Sequence, residues 1–327
     1  MSQPKVFASQ ADLEEKTVSF TRLSEHAYAY TAEGDPNTGV FIGDTAAMVV
    51  DTQATPGMAQ DVIRRIREIT PLPIKYVLLS HYHAVRVLGA SAYFKEGAQE
   101  IVASRDTYDL IKERGEQDKA SEIGRFPRLF RNVETVPPGL TWPTMTFEGS
   151  MSIWLGQLEV KIAQIGRGHT KGDTIAYIEN QNGNGERICF AGDLVEYQST
   201  AYAGDCYFRD WPTTLDRLAG YRFDKLVPGR GAALDNAGDV SRAIASTRAF
   251  ISDVYTLVNN GVTQGRSLDA IYKECVAALR PTYGHWVIFD HCMPFDVTRA
   301  YDEATGHVHP RIWTAVRDIE MWNALEA

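Results

Sequence analysis

Ile74-Lys75-Tyr76-Val77-Leu78-Leu79-Ser80-His81-Tyr82-His83 passes directly from an apolar run into a pair of imidazoles. Pro71 and Pro73 stand just upstream and stop any helix entering from that side. The run itself is short, apolar and β-prone, which reads as a buried strand. On extended backbone, residues two apart point to the same side. His81 and His83 therefore present both rings to one centre, as a single metal ion requires.

Upstream, residues 40–42 and 46–50 read as a hairpin joined by a two-residue Gly43-Asp44 turn, with Asp51 ending the second strand. Thr55-Pro56-Gly57 then opens a helix with Met58, Val62, Ile66 and Ile69 along one face. Downstream, a helix-like stretch starts near Ala90 and a short strand covers residues 101–103. The polar segment 112–143 reads as mixed helix and loop. Strands resume at 152–155 and 158–165. A further hairpin joins 174–178 to 187–190 through Asn182-Gly183-Asn184-Gly185. From Asp239 the period becomes helical, with Ile244, Thr247, Ile251, Val254 and Val258 on one face, and helix resumes over 268–279. The residues after Tyr283 read as aromatic-rich and irregular until a terminal helix bearing Trp313 and Trp322. This mixture predicts a compact α/β fold with helical C-terminal additions.

Composition narrows the function classes. A hydrophobic content of 44% over 327 residues supports a substantial core and excludes wholesale disorder. The net charge of -9 argues against nucleic acid as a partner. The apolar runs, such as 46–50 and 76–79, are far below the ~20 residues of a membrane-spanning helix, so no membrane partner is expected. Cys189, Cys206, Cys275 and Cys292 are widely spaced, which fits a reducing compartment rather than disulfides or a thiolate zinc site. The first residues carry no apolar leader after a basic start, so the expected location is cytoplasmic.

Polar residues recur where strands end. Besides Asp51 and the His81/His83 pair, His169 sits in the turn Gly166-Arg167-Gly168-His169-Thr170-Lys171-Gly172-Asp173. Asp193 comes after Cys189-Phe190-Ala191-Gly192, and Arg230 lies in Pro228-Gly229-Arg230-Gly231. Strand ends fix positions while the loops beyond them stay open to ligand. Three imidazoles and a carboxylate, with one position left for water, make a plausible catalytic zinc site. Iron or manganese would also suit these donors.

The ordered set VVDTQATPG (49–57), HYH (81–83), GHTKGD (168–173), AGD (191–193) and PGRG (228–231) resembles the metallo-β-lactamase-fold hydrolase superfamily over roughly residues 40–234. The resemblance implies an αββα sandwich of two facing mixed sheets with helices outside and the metal site along one edge. It places the core in 1–235 and a packed helical extension in 236–327. It also implies hydrolysis by metal-bound hydroxide. The family's second motif normally reads H-x-H-x-D-H, and here its last two positions are Val85 and Arg86. The later P-G-H-G histidine is Arg230. Neither valine nor a protonated guanidinium ligates a metal, so a normal second metal site is expected to be absent while His81, His83 and His169 remain.

The expected activity is therefore that of a single-metal hydrolase. It would act on a small ester, thioester or lactone, or on an activated aromatic substituent, with Asp193 as ligand or water acceptor. Arg86 and Arg230 would replace the charge of a second metal, holding Asp193 or gripping a polar group of a small-molecule substrate. Asp51 either orients a ligand histidine or caps the adjoining turn. His291, in Phe289-Asp290-His291-Cys292-Met293-Pro294-Phe295, is either a packed core residue or a ligand, base or proton donor folded back over the site. His26, His285, His307 and His309 read as structural. The aromatic run Tyr197, Tyr202, Tyr207, Phe208 and Trp211 reads as packing or pocket lining. The alternative is a catalytically inactive subunit or binding protein that partners an active homologue; homo-oligomerisation is compatible with either.

Overall fold

The computed structural model describes residues 6–179 and 186–326. Two sheets lie face to face. The first has seven strands in sequence order: β1 (Ser19–Arg22), β2 (Ala27–Thr31), β3 (Thr38–Ile42), β4 (Ala47–Val50), β5 (Ile74–Leu79), β6 (Glu100–Ser104) and β7 (Met145–Phe147). Its first four strands pair antiparallel and the rest parallel. The second sheet holds β8 (Ser150–Leu155), β9 (Leu158–Ala163), β10 (Ile175–Ile178), β11 (Ile188–Phe190) and β12 (Lys225–Val227). It is antiparallel except for the β11–β12 pair.

Side-chain alternation explains the layers. In β5, Leu78 packs between the sheets against Phe41, Val50, Val102 and Phe190, whereas Val77 and Leu79 face outward. That outer face is covered by α1 (Pro56–Ile69), α2 (Ala84–Val87), α3 (Ala90–Lys95) and α4 (Arg105–Arg125). On the second sheet, Ile175, Cys189 and Leu226 face outward. They join a core with α5 (Trp211–Gly220), α6 (Ala237–Thr263), α7 (Leu268–Tyr283), α8 (Phe289–Ala304) and α9 (Ala315–Leu325). The result is the four-layered αββα sandwich expected from the motifs.

Local chemistry sets the boundaries. Thr55 caps α1 by accepting from the Met58 N–H at 3.2 Å, Pro56 fills the first turn, and the helix ends before Pro71. Its buried stripe is Ala59, Val62, Ile63 and Ile66; Ile69, expected on that face, is exposed. The turn between β3 and β4 is shifted by one residue from the expected Gly43-Asp44. The Gly43 N–H donates to Ala46 O, which leaves Asp44 and Thr45 as the turn pair. The strand expected over 158–165 ends at Ala163. The strands of the 174–190 hairpin pair as expected, while the turn Asn182–Gly185 lies outside the described residues. In α6, Ile244, Thr247, Ile251, Val254 and Val258 are all buried.

The segment 112–143 is the mixed helix and loop that was expected, while the segment after Tyr283 departs from the sequence reading. Residues 105–125 form one long helix, α4, capped by Ser104. Leu110 and Ile111 anchor its first half in the core, but its inward stripe then continues as Arg114, Asp118, Glu122 and Arg125, all buried, so charge replaces the apolar pattern that periodicity would detect. Residues 289–304, expected to be irregular, form α8. It is buried on nearly every side by α6, α7, α9 and the N-terminal segment, so it shows no polar face, and Pro294 interrupts its pattern further. The four cysteines are buried and unbridged. Among the described residues, no helix is long and apolar enough to cross a membrane.

Candidate metal centre

The polar residues just beyond β4, β5 and β11, with the loop between β9 and β10, meet at one edge of the sandwich. His81, His83, His169 and Asp193 each offer a ligand atom, and these atoms lie within 4.8 Å of one another. The imidazole centroids are 4.9 Å apart for His81–His83, 4.7 Å for His81–His169 and 4.8 Å for His83–His169, each pair nearly edge-on. Asp193 Oδ2 is 3.5 Å from both His81 Nε2 and His169 Nε2. None of the four residues is more than 5% exposed.

Hydrogen-bond accounting tests whether this group fits a cation. Asp51 accepts from the Ser80 N–H at 2.8 Å and from the Ser80 hydroxyl at 2.7 Å. With its proton committed to Asp51, Ser80 Oγ must accept from His81 Nδ1, 2.9 Å away. His81 Nε2 is then an unprotonated lone pair aimed at the cluster, and it has no hydrogen-bond partner among the described residues. His83 donates Nε2–H to Asp205 at 3.2 Å, so Nδ1, 2.9 Å from His169 Nε2, is the nitrogen it would offer to a cation. Outer partners of this kind orient metal-ligand histidines. The residues therefore fit a metal ion, and the four constitute a metal-binding group. Replacing Ser80 by alanine is expected to weaken metal affinity about 10–100-fold without unfolding the chain, read by competition with a chromogenic chelator.

Close approach explains the glycines of the motifs. Gly192 has φ of +53°, and a β-carbon there would meet Ser80 Oγ at 2.7 Å. A β-carbon at Gly229 would overlap Asp193 itself. The turn holding His169 is tied by Asp173, whose carboxylate accepts from the Thr170 N–H at 2.9 Å and from its hydroxyl at 2.6 Å. Lys171 instead pairs with Asp106.

The two arginines take different places. Arg86 is fully buried. Its guanidinium pairs with Asp193 and donates to Asn37 O at 2.9 Å and Gly229 O at 2.8 Å, with Nε 4.0 Å from Asp51. Burial alone would raise the Asp193 carboxyl; Arg86, His81, His169 and Arg230 outweigh it and hold the group well below the usual carboxylate range. Burial similarly pushes Asp51 up to about 6, against the pull of Arg86 and Ser80. Arg230 donates Nη1–H to Gly34 O at 3.1 Å, its backbone N–H goes to Glu196, and it lines a narrow chamber of about 10 Å³, room for about one water, beside the centre. The chamber is also lined by His83, Asp193, Glu122, Tyr202 and His291. Asp51 sits behind His81, connected through Ser80, and Val85 lines the chamber. His26, by contrast, bonds Ile42 O at the far side of β3.

Ser80, Asp205, Glu122 and Ser9 are site residues that the motif reading did not single out. Only Ser80, adjacent to His81, carried a local signal; Asp205 and Glu122 lie 122 and 39 residues from His83 in sequence, and Ser9 lies 282 from His291, the chamber residue it bonds.

A family model described as the metallo-beta-lactamase superfamily matches residues 32–250. This chain belongs to the metallo-beta-lactamase superfamily. It is 21% identical over 228 residues to the metallo-beta-lactamase type 2 of Bacteroides fragilis, covering 65% of this chain and 79% of that one. It is 26% identical over 191 residues to the 2,4-dinitroanisole O-demethylase subunit alpha of Nocardioides sp. (strain JS1661), covering 57% of this chain and only 50% of that relative. A solved metallo-beta-lactamase from Pontibacter korlensis superposes with a TM-score of 0.56 at 18% identity, covering 72% of this chain and 99% of the other, which is a likeness of fold.

Proposed function

We propose that this superfamily member is a single-metal hydrolase of the cytoplasm. One zinc ion would be held by His81, His83, His169 and Asp193, and the substrate would be a small ester, thioester or lactone, or an aromatic ring carrying an activated substituent. The observation that carries this reading is the outer hydrogen bonding of His81 and His83, which turns one ring nitrogen of each to one centre. A bound zinc ion supplies an acidified water as nucleophile and polarises the group under attack.

The chain's own residues then divide the work. Asp193, held ionised by Arg86, fixes one oxygen beside His81 and His169, where it would ligate or accept a hydrogen bond from water. Arg230 places positive charge in the chamber, where negative charge develops on the substrate. Burial of all four donors keeps bulk water out. The aromatic-substituent option draws support from the relative named for O-demethylation of 2,4-dinitroanisole, an ether on an electron-poor ring.

Elemental analysis of protein purified without chelator tests the reading. About one zinc per chain is expected, lost in His81→Ala, together with turnover of an aryl ester, thioester, lactone or dinitroanisole panel. A chain that takes up no metal from excess zinc would sink it and favour a non-catalytic partner subunit.

A further inference from the structure

Away from the metal-binding group, the chamber lining carries two acceptors that nothing in the described structure satisfies. His291 Nε2 and Glu122 Oε2 are buried, and neither has a hydrogen-bond partner among the described residues. Both residues line the chamber that His83 and Asp193 also line.

Their polarity comes from counting protons. The Ser9 hydroxyl has one proton, and Arg125 O, 2.6 Å away, can only accept it. Ser9 Oγ, 2.9 Å from His291 Nδ1, must therefore accept from that nitrogen. The His291 proton is fixed on Nδ1, and Nε2 is left as a lone pair. Glu122 accepts from Arg125 Nη2 through Oε1 at 3.0 Å, so its second oxygen is also an acceptor. The His291 ring cannot turn away to find a donor. It is wedged among Phe126 at 4.5 Å, Phe295 at 5.3 Å and Trp322 at 6.2 Å between centroids. A buried acceptor left unpaired costs about 1–3 kcal/mol, and the chamber's space of about 10 Å³ takes about one water or one hydroxyl, so a ligand group that enters it in place of water must bring a donor. Tyr202, whose hydroxyl also lacks a partner among the described residues, can turn its proton either way and does not change this polarity.

We propose that His291 Nε2 and Glu122 Oε2 form an acceptor subsite for a hydroxyl or N–H group of the ligand held at the metal centre, with Ser9 as the positioning residue that fixes its polarity. That the ligand is a substrate rests on the hydrolase reading; that the subsite binds donors does not.

The test compares glycolate with acetate, which share a carboxylate and differ by one hydroxyl, by calorimetry on the full zinc-loaded chain. Glycolate should bind at least about tenfold more tightly, the equivalent of one good hydrogen bond. The preference should collapse towards unity in His291→Phe, a variant the surrounding rings can pack around, because chelation of zinc by glycolate alone would survive it. It should fall in Ser9→Ala and return in Ser9→Thr. Nitrogen-15 NMR of histidine-labelled protein supplies a readout without any ligand: His291 should carry its proton on Nδ1, and Ser9→Ala should mix the tautomers. A wild-type chain with no glycolate preference, whether both acids bind or neither does, overturns the subsite. So does a His291 protonated on Nε2. Absence of ester turnover with the glycolate preference intact would instead overturn the hydrolase reading and leave the subsite standing.

Discussion

Replacing Arg86 by methionine is expected to destabilise the metal-free chain by about 3–5 kcal/mol, the range for removing one partner of a buried ion pair. Arg86 is fully buried and satisfies Asp193, Asn37 O and Gly229 O at once. Methionine fills similar volume but removes the strongest of the positive neighbours of Asp193, leaving it the imidazoles and the Arg230 charge. The loss should be partly recovered on adding zinc, since a divalent ion beside Asp193 supplies the missing charge. Lysine should fall between the two, because it keeps the charge but cannot reach three acceptors with one ammonium. Denaturant unfolding with and without zinc measures all of these. A metal-free Arg86→Met chain within about 1 kcal/mol of wild type would show that the ion pair is not what holds Asp193 ionised.

The second large effect is expected at Arg230. Arg230→Ala should lower kcat about 10²–10³-fold, as for loss of a group that meets developing negative charge, while metal content stays near one ion per chain. The split arises from position: Arg230 lines the chamber and makes no side-chain hydrogen bond to the four clustered donors, whereas Arg86 is turned into the protein behind Asp193. Arg230→Lys should retain part of the activity. Metal analysis beside steady-state kinetics separates the outcomes. Undiminished kcat would remove Arg230 from the reaction, and loss of metal would make it a support of the centre instead.

These two arginines also show how far the residues could be read in order. Both stand where the superfamily's pattern has histidine, and two roles were open for them: holding Asp193 or gripping a substrate group. The fold separates the roles. Arg86 lies on the short helix α2 directly after the histidine pair and is buried against Asn37 and Gly229, so the first role falls to it. Arg230, beyond β12, reaches the chamber. Asp51 likewise had two readings, and its hydrogen bonds to Ser80 place it behind His81.

The sequence by itself determined an α/β fold and the metal-binding group, because strand periodicity, turn chemistry and ligand spacing are local; the αββα sandwich was what the motifs' resemblance to the superfamily implied. The apolar run of β5, the H-Y-H pair, the glycine-bracketed His169 and the Gly-Asp after β11 each carry their signal within a few residues. Tertiary structure decided what surrounds that group. The inward face of α4 turns charged after Ile111 and α8 is buried on nearly all sides, so neither shows the one-sided apolar pattern by which helices are recognised. The partners that set proton positions come from distant segments: Asp205 for His83, Ser9 for His291, and Arg125 for Ser9. A hydrogen bond between residues 282 positions apart leaves no periodicity in the chain. It exists only once the sheets and helices have packed and the buried donors and acceptors must pair.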